Sequence, residues 1–190
     1  MQKESFTTYD MVLSAIGAAL IAVSAFVSIT VMAVPFTLQT LAIFAVLMSI
    51  GGKRGTVSIL CYLLLGAVGV PVFSGFKGGI SVLLGPTGGF LAGFIFLGLV
   101  YWALNDLVLR TDARKTPVRI GLKIAEAVIA EIVMYAFGVV WFMTIYAAQT
   151  GPVGIGTALS WCVIPFILPD IIKILAAAAV SEAARKVIKK

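Results

Sequence analysis

Asp170 and Lys173 stand three residues apart in a stretch that is otherwise almost wholly apolar. On a helix that spacing puts a carboxylate and an ammonium on one face. At membrane depth each charge costs about 2.5–3.5 kcal/mol on insertion scales, so the pair is expected either to hold a polar ligand or to neutralise itself as a structural ion pair. Pro165 and Pro169 lie just before it. Each proline removes a backbone donor and opposes a straight helix, so nearby carbonyls need other partners. The expectation is a helix broken at the prolines, with the acid and the amine lining a polar pocket at the break. Two further carboxylates share an apolar setting. Glu126 follows Lys123 by three residues and is expected to pair with it near the cytoplasmic end. Glu131 lies deeper, where structural pairing with Lys173 is expected over contact with a ligand.

Other chemistries lack their residues. Histidine, the commonest acid–base residue and metal ligand, is absent. Cys61 and Cys162 sit in separate apolar runs without Cys-x-x-Cys spacing and read as small packing residues, so neither a metal site nor a disulfide is expected. No nucleophile–base pair is recognisable, and an intramembrane enzyme is not expected. A nucleotide-binding loop needs Gly, four residues, then Gly-Lys-Ser/Thr; Gly52-Lys53 is followed by Arg54 and lacks the upstream glycine. Uphill movement of a solute then requires either a partner that hydrolyses ATP or coupling to an ion.

The elements that position these groups follow from composition. Hydrophobic residues make up 61% of the 190 and charged ones 12%, with a mean hydropathy of +1.12. Soluble domains hold about 45–50% apolar and about 25% charged residues; an excess of this size needs lipid as its solvent. An all-α polytopic membrane protein is expected, one membrane domain over 1–190, with six transmembrane helices at about 11–34, 36–50, 56–68, 86–109, 120–148 and 157–184. The first run is long and has no small-residue cleavage pattern, so it reads as a span and not a leader. The net charge of +6 is the basic excess that membrane proteins keep on the cytoplasmic side, and no nucleic-acid partner is expected. With six spans, Lys3, Lys53, Arg54, Arg110, Arg114, Lys115, Arg119 and the basic tail share one side, and only Lys77 lies opposite. That asymmetry places both termini in the cytoplasm of a multi-pass cell-membrane protein. No inverted repeat of the secondary-transporter kind is visible.

The outer connection 69–89 carries Gly75, Gly78, Gly79, Gly85, Gly88 and Gly89, which let backbone approach a ligand closely. Phe73 and Phe76 are placed to cover a site there, and a plain loop is the competing reading. The first span carries small residues at four-residue spacing, Ser14, Ala18 and Ala22, with Ala15 and Ala19 beside them. Such stripes serve close helix packing, within the chain or against a partner.

Four segments taken in order, Val34-Pro35-Phe36-Thr37-Leu38-Gln39-Thr40, Gly66-Ala67-Val68-Gly69-Val70-Pro71-Val72-Phe73, Gly85-Pro86-Thr87-Gly88-Gly89-Phe90, and Pro165-Phe166 with Pro169-Asp170-Ile171-Ile172-Lys173, resemble the BioY family over nearly the whole chain. BioY proteins are the biotin-binding S components of energy-coupling factor (ECF) vitamin transporters. The resemblance implies a six-helix S-component bundle that captures biotin from outside, as transported ligand and not as prosthetic group. It implies a transmembrane T component and two cytoplasmic ATPases as partners, with Ala15, Ala18, Ala19 and Ala22 as the docking motif. It also assigns Gln39, Gly85, Thr87 and Gly88 to the outer cavity with Asp170 and Lys173. Asp170 would accept from the ureido N–H groups, and Lys173 would pair with either the ureido oxygen or the valerate carboxylate. Lys77 is the other cation available to that carboxylate. Phe73, Trp141 and Tyr146 lie near outer ends and are expected against the ring faces. The alternatives are an S component for thiamine or riboflavin, and a proton-coupled secondary transporter using Glu131 and Asp170.

Overall fold

The structure, a computed structural model, describes residues 6–29, 34–109 and 116–188. Lys3, Arg110, Arg114, Lys115, Lys189 and Lys190, on which part of the charge asymmetry rests, lie outside the described residues, as do residues 30–33 of the first expected span.

Helix α1 (Thr8–Phe26) is opened by a capping box in which Thr7 N donates to Asp10 Oδ2 at 2.8 Å and Asp10 N donates to Thr7 Oγ1 at 3.3 Å. Reciprocal bonds of this kind satisfy the orphan amides of a first turn. The helix stops at Phe26, short of the expected 34, because the β-branched run that follows is drawn into a small antiparallel pair, β1 (Ser28–Ile29) with β2 (Phe36–Thr37), Ser28 opposite Thr37 and Ile29 opposite Phe36. Helix α2 (Gln39–Ile50) and helix α3 (Gly52–Ala67) are joined by Gly51 alone, whose φ of 92° reverses the chain. The basic turn expected at 51–55 is therefore mostly the first turn of α3. Helix α4 (Ile80–Leu83) is a single turn before α5 (Gly88–Leu109), and α6 (Thr116–Thr150), α7 (Ile155–Cys162) and α8 (Ile164–Ile188) complete the chain.

The last span differs from expectation in an instructive way. The break falls at Val163 (φ −127°, ψ −57°), ahead of both prolines. Pro165 occupies the first turn of α8, where a missing N–H costs nothing, and Pro169 is carried inside the helix. Asp170 and Lys173 thus project from the first half of a continuous helix and not from a break.

Among the described residues, four segments are long and apolar enough to cross a membrane: Thr8–Phe26, Gly88–Val108, Pro117–Thr150, and Ile155–Arg185 taken through α7 and α8. Helices α2 and α3, at 12 and 16 residues, are shorter than the roughly 20 residues of a full perpendicular span. The protein is a multi-pass membrane bundle whose outer surface, with Leu20, Val23, Ile132, Val140 and Ile172 exposed, is suited to lipid. Inside, α5 packs on α6, α2 on α8, and α3 between α1 and α5. Lipid offers no hydrophobic drive for helices to associate, so small residues and polar ties hold the bundle. Glycine at 52 seats α3 against Trp102, and at 17 seats α1 against Ser58; a Cβ at either would overlap the neighbour. At the end where Lys53 and Arg54 lie, Arg54 Nε meets Asp10 Oδ1 at 2.5 Å, joining α3 to α1. Lys123 does not pair with Glu126 as expected. Its ammonium donates to Met48 O at 2.8 Å and lies 3.7 Å from Glu182, which Arg119 also binds at 2.6 Å, so that α2, α6 and α8 are tied together. Glu126 is buried and accepts from Asn105 Nδ2 of α5 at 3.2 Å.

Candidate functional site

A cavity of about 390 Å³ opens between α2, α5, α6, α8 and the segment before α4. Its volume lies within the range of about 300–1,000 Å³ that suits small-molecule ligands. Starting α2 right after the β1–β2 pair puts Gln39 and Thr40 at the helix mouth, and both side chains turn inward and are buried. Packing α2 on α8 brings Thr40 to Asp170 although 130 residues separate them: Thr40 Oγ1 donates to Asp170 Oδ1 at 3.0 Å. Lys173 Nζ donates to the same oxygen at 2.8 Å, and the Tyr135 hydroxyl of α6 donates to Oδ2. The acid and the amine are 4% and 7% exposed, so they are nearly dry, yet both line the cavity. Lys173 Nζ also sits 4.3 Å from the centroid of the Phe36 ring, a cation–π contact that fixes the ammonium from a second side. Gln39 Nε2 donates to the Tyr62 hydroxyl at 2.6 Å, which orients the amide.

The outer wall comes from the segment 73–77. Phe73 N donates to Lys77 O at 2.9 Å and Lys77 N donates to Phe73 O at 3.3 Å, closing a tight loop in which Gly75 (φ 72°) and Phe76 (φ 57°) are left-handed. Phe73 turns inward, 1% exposed, and meets Tyr62 edge-on with centroids 5.6 Å apart. Gly66 makes room for it: a Cβ there would overlap the Phe73 ring. Phe76 does not cover the cavity; it lies outside it and stacks on Phe26 of α1 at 4.4 Å. Lys77 lines the cavity and has no ion-pair partner among the described residues. Phe90, Phe94 and Phe166 supply further aromatic wall.

Of the residues singled out from sequence, the fold gathers Gln39, Phe73, Lys77, Thr87, Asp170 and Lys173 around this one cavity. Gly85, Gly88, Trp141 and Tyr146 are not among its lining residues. Trp141 Nε1 donates to Gly85 O at 3.0 Å, clamping α6 to the turn before α5, and Gly88 is packed against the backbone of Leu83. Tyr146 stacks on Phe142 at 5.0 Å and meets Trp161 edge-on. Glu131 is buried and makes no hydrogen bond to Lys173; both of its carboxyl oxygens lack a hydrogen-bond partner among the described residues. The alanine stripe is divided: Ala18 is 3% exposed inside the chain's own core, Ala22 is half-buried, and Ala15 and Ala19 face outward.

Sequence reasoning missed Thr40, Tyr135, Tyr62 and Phe36. A signal existed for two of them. Thr40 adjoins Gln39, and Tyr135 lies four residues after Glu131, hence on the same helix face as a buried carboxylate. Tyr62 and Phe36 owe their roles to tertiary packing alone. Chemically, the cavity presents one bound carboxylate, one buried ammonium, an amide and, at the loop end, a second ammonium, between aromatic walls. That set fits a small, largely apolar molecule with N–H donors at one end and a negative charge at the other.

The BioY family model matches residues 1–190. The "Biotin transporter BioY" of Thermotoga maritima is 37% identical over 177 residues, 93% of this chain and 96% of that protein. The "Probable biotin transporter BioY" of Pyrococcus horikoshii is 35% identical over 173 residues, 91% of this chain and 94% of that protein. Among solved structures, the crystal structure of "the S-component for biotin from an ECF-type ABC transporter" superposes with a TM-score of 0.76 at 24% identity, covering 97% of this chain and 95% of that one. At that identity the likeness speaks for the fold.

Proposed function

The chain belongs to the BioY family, and from that membership and the chemistry of the cavity we infer that it is the biotin-binding S component of an ECF-type uptake transporter. The observation that carries the reading is the dry Asp170–Lys173 pair, which lines an open cavity where it could have been sealed in the core. Biotin offers a ureido group with two N–H donors and one carbonyl, a compact apolar bicycle, and a valerate carboxylate. Asp170 accepts from one ureido N–H, Lys173 donates to the ureido oxygen, and the rings pack among Phe73, Phe90 and Phe94. The valerate then runs toward Lys77, the cation of the cavity without an ion-pair partner among the described residues. Gln39 and Thr87 complete the polar lining, and Gly85, Gly88, Trp141 and Tyr146 act by holding the walls.

The protein carries no nucleotide-binding motif, so the chain captures and a partner drives: a transmembrane T component with two cytoplasmic ATPases. It is a binding and transport subunit and not an enzyme. Ala15 and Ala19, on the outward face of α1, are the part of the alanine stripe open to a partner helix. The cavity then opens to the outside and both termini lie in the cytoplasm of the cell membrane, a reading supported by Lys53 and Arg54 at the end of the bundle opposite the cavity. The test is to purify the full chain in detergent and titrate biotin by calorimetry without ATP or partners. Saturable one-site binding is expected; no heat of binding, and no biotin carried through purification, would overturn the assignment.

A further inference from the structure

Behind the ion pair, on the side away from the cavity, a second depression of about 590 Å³ runs between α6, α7 and α8. Its lining is aliphatic except for Glu131, Tyr135 and Asp170. Glu131 is 4% exposed, and among the described residues neither of its carboxyl oxygens receives a hydrogen bond. The groups that face it are Tyr135, one turn on along α6, and Asp170 and Lys173 of α8; α7 contributes only Ile155 and Leu159 to this depression. The donors among them are already committed: the Tyr135 proton goes to Asp170 Oδ2, and Lys173 donates to Asp170 Oδ1, as does Thr40 from α2. Asp170 thus receives three hydrogen bonds while Glu131, beside it, receives none. An ionised carboxylate left this way in an apolar setting is far more costly than a neutral acid. It would also leave one buried ammonium facing two buried carboxylates, in a site that admits an anionic ligand.

We propose that Glu131 is a neutral carboxyl whose O–H donates to the Tyr135 phenol oxygen and, through it, positions Asp170 for the ligand. The phenol gives its own proton to Asp170 and has an accepting lone pair to spare. A carboxylate has about four acceptor sites; with three filled from the protein, the remaining site on Asp170 is kept for a ligand N–H. A proton held on Glu131 also keeps the cluster electrically neutral, so an arriving carboxylate meets no net negative charge. This rests on the biotin-binding reading for its function, though not for the charge state of Glu131.

The test uses the full chain in lipid nanodiscs. Infrared difference spectra between wild type and Glu131→Gln at neutral pH are expected to show a protonated-carboxyl C=O band that the variant lacks. Glu131→Gln keeps a donor of nearly the same shape and is expected to hold biotin affinity within about threefold, whereas Glu131→Met, which has no donor, weakens it by about tenfold. In a Tyr135→Phe background Glu131→Met is expected to add no further loss, because the relay is already cut. A missing band, a Gln variant as weak as the Met variant, or fully additive effects of the Glu131 and Tyr135 changes would each overturn the proposal. If wild type binds no biotin, the functional reading falls, while the infrared band still decides whether Glu131 carries a proton.

Discussion

Replacing Asp170 by Asn asks how much the ion pair contributes to ligand and how much to fold. The carboxylate accepts from Thr40 at 3.0 Å, from Lys173 at 2.8 Å and from Tyr135. Asn keeps one acceptor oxygen, but its amide turns donors toward one of these donor sets, and the charge is gone. A hydrogen bond to a charged group is worth about 1.5–3 kcal/mol, so biotin affinity is expected to fall by about tenfold to a hundredfold. Stability suffers separately: the Lys173 side chain, 8% exposed, is left as an unpaired buried ammonium, and breaking such a pair costs about 3–5 kcal/mol. Lys173→Met should destabilise in the same way from the other partner. The double variant Asp170→Asn, Lys173→Met removes both charges together and is expected to recover most of the thermal stability lost by either single change while remaining deficient in binding. Calorimetric titration of biotin and thermal unfolding of the same three preparations separate the two quantities. An Asp170→Asn protein that binds biotin like wild type, or a double variant whose binding returns together with its stability, would refute the assignment of this pair to the ligand.

Four further outcomes follow from the same geometry. Lys77→Met should weaken biotin by about tenfold and leave the affinity for uncharged biotinamide unchanged within about threefold, a contrast that shrinks as salt rises; paired titrations of the two ligands check it. Tyr62→Phe removes the acceptor of the buried Gln39 amide and should cost about 1–3 kcal/mol of stability, visible as a lowered unfolding temperature with biotin binding weakened alongside. Gly66→Ala pushes a methyl group into the Phe73 ring and should speed biotin release in stopped-flow displacement, with Phe73→Leu in the Gly66→Ala background restoring part of the loss. Phe26→Ala takes away the stacking partner that holds left-handed Phe76. It is expected to raise the dissociation rate by roughly threefold to tenfold, since an aromatic pair is worth about 0.5–1.5 kcal/mol.

The helical class and the multi-pass membrane character were legible because hydropathy acts over whole segments, and lipid leaves a chain little choice of structure. Asp170 and Lys173 stood out because charges in an apolar run are costly enough to demand a reason. Boundaries were less legible. The first helix ends at Phe26 because a strand partner at Phe36–Thr37 competes for the backbone, and no local propensity shows such a partner. The prolines of the last span promised a break where the helix continues; Pro165 fell in a first turn, and that position depends on where α7 happens to stop. The site shows the same division. Thr40 meets Asp170 only because α2 packs on α8, and Trp141, placed by position against a ligand, instead clamps the Gly85 carbonyl. The split alanine stripe is a further case: spacing shows that small residues share a face, but only the neighbouring helices decide which of them are covered, and Ala18 is covered while Ala15 and Ala19 stay open.

On the biotin-binding reading, the self-neutralising pair and the ligand-binding pair, opposed as readings of the sequence, are one device. An empty site built from isolated charges would be too costly to fold in a membrane, and a site built only from apolar wall could not tell biotin from other small rings. Pairing Asp170 with Lys173 lowers the cost of the empty state, and placing the pair at a cavity wall leaves each partner with unused hydrogen-bonding capacity on one side. A urea matches that side with a donor for the acid and an acceptor for the amine, so it joins the pair without breaking it. An analogue that offers only acceptors, or only apolar surface, removes water from the same two groups and returns nothing to one of them. Discrimination then comes from the penalty on the wrong ligand, which grows with the dryness of the pair. At 4% and 7% exposure that penalty is close to its full size, and this is why selectivity here should depend more on keeping the pair dry than on adding contacts to biotin.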